Sequence, residues 1–148
     1  MTNESIREFF LRYEQFFMQS LDGDVDVDEI SSLYAQEFIA ASPMGTMSGK
    51  NDHQFQQALV QGYEQYRQIG TKKMTVRSVK TSPIDELHCV AHVAWTATYA
   101  TAEKSNIAID FEVHYLMQEL GGKLQIFGWI AGDEQKLLKD YGVIKASD

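Results

Sequence analysis

Two stretches in the second half of the chain, HCVAHVAWTATY (residues 88–99) and IAIDFEVHYLM (residues 107–117), alternate apolar and polar residues so strictly that each reads as a strand with one buried face. They lie close enough in sequence to form a hairpin. Centring its turn near Glu103 sets Trp95 against Phe111, Val93 against Val113, Ala97 against Ile109 and Ala91 against Tyr115. A slip of one residue would put Trp95 and Phe111 on opposite faces, so the pattern specifies one register. The other face then carries His92 opposite His114, with Asp110 and Glu112 nearby.

Two further segments, MTVRSVKT (74–81) and LQIFGWIA (124–131), have the same period, and SPIDE, ATAEKSN and ELGG separate the four strands. The first half is helical instead. Ile6, Phe9, Phe10, Tyr13, Phe16, Phe17 and Leu21 recur at spacings of three and four over residues 4–21, with Asn3 as the expected cap. A second, short helix capped by Asp28 is expected to turn Ile30, Leu33 and Tyr34 inward. The segment EFIAAS then reads as a short strand that ends at Pro43. A third helix from about Asn51 to Ile69 carries Phe55, Leu59, Tyr63 and Tyr66 on one stripe, with Gly70 as its stop. Asp133 is expected to cap a last helix carrying Leu137, Leu138 and Tyr141, which ends at Gly142.

A chain of 148 residues with 44% hydrophobic content is expected to form one domain, residues 1–148, around a single core. The net charge of −8 and the scattered lysines and arginines argue against nucleic acid as a partner. The opening MTNESIREFF lacks the basic-then-apolar plan of a signal peptide, and no apolar run reaches membrane-spanning length, so a cytoplasmic protein with no membrane partner is expected. A lone cysteine, Cys89, agrees with a reducing compartment and reads as a buried structural thiol. The acidic segment LDGDVDVDE has Val27 and Leu33 where a calcium loop from Asp22 needs Gly and Glu, and it is read as a solvated turn. No phosphate-cradling or dinucleotide motif occurs, and neither a cofactor nor a metal is expected. His92 facing His114 beside Glu112 would make a weak metal or pH-sensitive site, or else an exposed or subunit-facing polar stripe.

The order of elements, together with LYAQEFIAASPMG (33–45), VAWTATY (93–99) and IDFEVHYL (109–116), resembles the nuclear-transport-factor-2-like (NTF2-like) superfamily over essentially the whole chain. That superfamily includes ketosteroid isomerases, polyketide cyclases and scytalone dehydratase. The resemblance implies an α+β fold: a cone-shaped, strongly curved antiparallel sheet wrapped on three N-terminal helices, the cystatin-like roll, with a short C-terminal helix. Against the ketosteroid isomerases, LRYEQFF supplies Tyr13 at the matching helical place, and ASPMG matches an Asp-Pro corner with Ser42 where the carboxylate would stand. A second acid on a later strand has Val113 or Phe111 in its place when the apolar faces are matched, and His114 when the count runs back from the turn before Lys123.

Ser42, on the side of Phe38 and Ala40, is expected to point inward, as a ligand contact, a pocket-lining group or a partner of its own backbone. A serine hydroxyl is too weak a base to remove a carbon-bound proton unaided. Tyr13 reads either as an oxyanion donor to a ligand carbonyl or as an amphipathic tyrosine at the pocket edge. The expected ligand-binding set is Tyr13, Phe17, Ser42, Tyr63, Trp95, Phe111, Phe127 and Trp129, lining a pocket for a compact apolar or aromatic small molecule. The superfamily resemblance also implies a homodimer paired through the outer sheet face, and a non-catalytic dimerising module is the alternative reading.

Overall fold

The computed structural model describes residues 1–145. Helices α1 (Asn3–Leu21), α2 (Val27–Ser31) and α3 (His53–Gln68) come from the first half of the chain, and α4 (Glu134–Asp140) follows the last strand. The strands are β1 (Tyr34–Ser42), β2 (Gly45–Lys50), β3 (Thr71–Pro83), β4 (His88–Tyr99), β5 (Ile107–Leu120) and β6 (Lys123–Ala131). They form one sheet in the order β2-β1-β6-β5-β4-β3. Every neighbouring pair is antiparallel except β1 and β6, which run parallel. This is the expected α+β plan, a mostly antiparallel curved sheet against helices, with one parallel join that the alternation did not announce.

The β4–β5 hairpin has the expected register along its whole length, including Trp95 opposite Phe111 and His92 opposite His114. Its inward positions include some of the most buried in the protein: Ala91, Val93 and Ala97 are fully enclosed and Trp95 is 1% exposed. Irregularities in the ladders bend the sheet. Arg77 is an extra residue between the pairs Val76–Trp95 and Ser78–Ala94, and Phe127 is extra between Leu116–Gly128 and Met117–Ile126. Each bulge sharpens the local twist and so helps roll the sheet around α1 and α3.

Two helices begin one or two residues before the expected caps. Thr2, not Asn3, caps α1, because its hydroxyl accepts from the Ser5 N–H while the Ser5 hydroxyl accepts from the Thr2 N–H, a reciprocal box that Asn3 is one residue too late to make. Asp26, not Asp28, caps α2 by accepting from the Glu29 N–H. Tyr34 belongs to β1 rather than to the second helix. Asp52 caps α3, Asp133 caps α4 as expected, and Gly70 ends the α3 turn at φ +90°, where a Cβ would collide with the Ala100 carbonyl oxygen.

Pro43 follows the last residue of β1, as expected, but lies away from the cavity. It opens a tight turn from which the chain doubles back as β2, pairing Ser42 with Gly45 and Phe38 with Gly49. The sequence GTMSGK hides this strand, since it has two glycines, no alternation, and an almost wholly exposed edge position. Among the described residues, no helix is long and apolar enough to cross a membrane.

Candidate functional site

Rolling the sheet over α1 and α3 leaves a cavity of about 450 Å³ between them. That lies within the ~300–1,000 Å³ typical of small-molecule pockets. Its walls are aromatic because six elements present rings to it. Tyr13 and Phe17 come from α1, Tyr34 from β1, Tyr66 from α3, Trp95 and Tyr99 from β4, Phe111 and Tyr115 from β5, and Trp129 from β6. The α1 pair are one turn apart on the helix face that packs on the sheet. Trp95 and Trp129 reach the same cavity through β5 between them, where Trp95 pairs with Phe111 and Trp129 with Tyr115, two inward positions of one strand.

Hydrogen bonds join the phenols beside Tyr13. The Trp95 Nε1–H donates to the Tyr115 hydroxyl at 3.2 Å, the Tyr115 and Tyr13 rings lie 6.1 Å apart between centroids, and the Tyr34 hydroxyl donates to Tyr13 at 3.1 Å. Burial pushes all three phenols above their ordinary value; for Tyr13 the bond received from Tyr34 opposes that rise. All three are therefore neutral hydrogen-bond donors at physiological pH.

At the rim stands a carboxylate. Glu134, first residue of α4, lines the cavity, and its Oε1 accepts from the Tyr66 hydroxyl at 3.1 Å. The residue as a whole is exposed, yet its carboxyl is shielded enough for burial to raise its pKa against the opposing Tyr66 bond. Its negative charge in turn helps to raise Tyr13, Tyr66 and Tyr99.

Of the eight residues expected at the pocket, Tyr13, Phe17, Trp95, Phe111 and Trp129 line the cavity and three do not. Ser42 is a correction: it has the inward parity of Phe38 but lies at the end of β1, exposed, and its hydroxyl accepts from the Met44 N–H at 3.2 Å to brace the turn. Phe127 is a second. The bulge makes both Ile126 and Trp129 inward residues, so Phe127 stands edge-on to His88 at 5.9 Å between centroids instead. Tyr63 is buried behind the wall, with its ring against Phe17 at 5.1 Å. The sequence reading left out Tyr34, Tyr66, Tyr115 and Glu134. Three were legible as inward aromatics, whereas Glu134 was visible only as an acid in the first turn of a helix.

Phe111 and its neighbours Ile109 and Val113 occupy the inner face, and His114 points away. On the outer face His92 Nδ1 and His114 Nδ1 are 2.8 Å apart, and His92 Nε2 lies 2.8 Å from the Ser82 hydroxyl. The histidines are thus outside the cavity.

The family profile described as NTF2-like protein (DUF6841) matches residues 3–134 of the sequence. The chain belongs to this NTF2-like family. A comparison with curated proteins finds no match. Solved structures share the fold of this NTF2-like protein. An NTF2-like protein with a cystatin-like fold from Novosphingobium aromaticivorans aligns with a TM-score of 0.66 and 12% identity, over 97% of this chain and 88% of that one. An uncharacterised protein with a cystatin-like fold from Caulobacter vibrioides gives 0.65 and 11%, over 93% and 94%. A provisionally assigned scytalone dehydratase from N. aromaticivorans gives 0.62 and 11%, over 86% and 80%. At such identities the likeness is one of fold.

Proposed function

We propose that this NTF2-like protein binds a compact, largely apolar or aromatic small molecule within the cone, with an oxygen of the ligand held by the Tyr13 hydroxyl. The observation that carries this reading is the bond that Tyr13 receives within the wall of the aromatic cavity. With the Tyr34 hydroxyl donating to it at 3.1 Å, Tyr13 keeps its own proton for a ligand. The donor it receives polarises its own O–H and strengthens Tyr13 as a neutral donor. A carbonyl or phenolate oxygen on an otherwise apolar ring system is the matching ligand chemistry.

A catalytic version would be an isomerase, dehydratase or cyclase, in which the same donor stabilises an oxyanion. The fold likeness to a provisionally assigned scytalone dehydratase favours that class. The test is titration with 2-naphthol, read by quenching of tryptophan fluorescence, Trp95 and Trp129 being the two tryptophans of the chain. Saturable binding is expected, weakened about tenfold by Tyr13→Phe, which corresponds to a net hydrogen bond of about 1.4 kcal/mol. No saturation, or no change with Tyr13→Phe, rejects this reading.

A second reading, a homodimer through the outer sheet face, rests on a different observation. Gly128 on that face is covered by Ile39 and Leu116, and Ile39 and Ile130 beside it remain 42% and 48% exposed. A second copy of the chain pairing there would cover this apolar strip. Sedimentation tests it: a dimer that Ile130→Glu dissociates supports the reading, and a monomer at all concentrations removes it.

A further inference from the structure

The outer face of the sheet, away from the cavity, brings two imidazoles together. The β4–β5 register sets His92 directly opposite His114 on that face. Their rings stand at 71° with centroids 5.0 Å apart, and the two Nδ1 atoms are 2.8 Å from each other. A third strand holds one of the rings, since the Ser82 hydroxyl of β3 lies 2.8 Å from His92 Nε2. The tautomer whose Nε2–H donates to that hydroxyl leaves the Nδ1 of His92 as a lone pair facing His114. Metal-binding histidines are oriented in the same manner, by a partner on the second ring nitrogen. Both histidines are half-buried, so the sheet steadies the rings while the pair stays within reach of solvent.

We propose that His92 and His114 chelate one divalent transition-metal ion of the copper or nickel type through their Nδ1 atoms. The site is independent of the pocket reading. Its spacing selects the class of ion. With metal–nitrogen bonds of about 2.0–2.1 Å, two ligands at a right angle stand about 2.9 Å apart, and two ligands of a tetrahedron about 3.3 Å apart. The 2.8 Å separation matches the right angle, which square-planar and tetragonal Cu2+ and Ni2+ prefer and tetrahedral Zn2+ does not. Without an ion, one Nδ1 carries a proton that the other accepts. The ion replaces it when His114 moves that proton from Nδ1 to Nε2, a change of tautomer that releases no proton at neutral pH. Each ring then turns its Nδ1 lone pair toward the ion. Among the described residues no group of three or more His, Cys, Asp or Glu is placed to hold a metal, so the remaining positions go to water. The charged neighbours on that face are Lys80, opposite His92 on β3, and Glu112, two positions before His114 on β5; Ile130 of β6 stands opposite His114. Their opposite charges offset each other, and the affinity comes from two nitrogens that the hairpin has already brought together.

The experiment titrates the full chain, without a histidine tag, with NiCl2 by calorimetry and with CuCl2 by electron paramagnetic resonance. One ion per chain is expected, with a tetragonal copper spectrum that shows two equatorial nitrogens. His92→Gln and His114→Gln should each reduce nickel binding to the level of the double variant, because a single imidazole does not chelate. His53 and His88, the other two histidines, stay in every variant and set the background. Ser82→Ala is expected to weaken binding about tenfold, as the loss of an orienting partner does. Unchanged affinity there would overturn the tautomer assigned to His92. Wild-type binding should also fade as pH drops through about 6.5, where imidazoles take up protons, a readout that depends on no variant folding. Nickel binding unaltered in either glutamine variant, a copper spectrum with one nitrogen, or half an ion per chain shared between two copies overturns the proposal.

Discussion

The Tyr34 hydroxyl donates to the Tyr13 hydroxyl at 3.1 Å, joining the first residue of β1 to the middle of α1. Tyr34→Phe removes that donor but leaves the Tyr13 ring packed beside Tyr115. The expected cost is about 1 kcal/mol in urea unfolding, with 2-naphthol affinity lower by about threefold. Because Tyr115 packs beside Tyr13 and itself accepts from Trp95, the double variant with Tyr115→Phe should depart from additivity. Additive losses would show that the bonds act separately.

Alkaline pH should unfold the protein through its phenols. Tyr13, Tyr34, Tyr63, Tyr66 and Tyr115 are raised above the ordinary 10.0, with burial as the largest cause in each, and Tyr99 is pushed up to about 12. Groups raised in the folded state contribute stability that is complete below their unfolded value and declines as pH climbs past it. Stability is therefore expected to fall above about pH 10. Phenolate absorbance should appear together with loss of tertiary signal. Ionisation of these tyrosines in a chain that stays folded would contradict their burial.

Glu134 gives a linkage of the same sign at lower pH. Its carboxyl lies above the ordinary 4.5, so its contribution to stability is greatest below that value and is lost as pH rises through the raised folded value. Between about pH 4 and pH 8, wild type should lose stability relative to Glu134→Gln, whose side chain can still accept from Tyr66. Parallel urea titrations at the two pH values measure it. A gap that widens in favour of wild type as pH rises would mean that the carboxyl is lowered instead.

Trp95 and Ser42 should behave oppositely on substitution. Trp95 is 1% exposed and donates to Tyr115, so Trp95→Ala is expected to cost about 3–5 kcal/mol. Ser42 braces an exposed turn, so Ser42→Ala should stay within about 0.5 kcal/mol and leave 2-naphthol binding as it was. Loss of binding with Ser42→Ala would return that hydroxyl to the pocket.

Where both faces of a pattern are committed, sequence was enough. The Trp95–Phe111 register follows from alternation alone, since any slip would expose one ring. Phe127 defeated the same reasoning because a single inserted residue reverses parity, and nothing in LQIFGWIA marks where the insertion falls. Ser42 was misplaced because the edge strand after it has no apolar face to betray it. Glu134 was legible as a helix-start acid, a role decided by the backbone. The direction of its carboxyl is decided by Tyr66, which lies far away in sequence and meets it only when the sheet has rolled.

The parallel join of β1 to β6 couples Ile39 with Gly128 and Ala40 with Trp129, one strand from the first third of the chain and the other from its last. A nascent polypeptide leaving the ribosome can make the β4–β5 hairpin early, yet it cannot seal the cone until β6 has emerged and found its distant mate. A polypeptide released short of β6 would leave β1 without its parallel partner and the cone open along that seam.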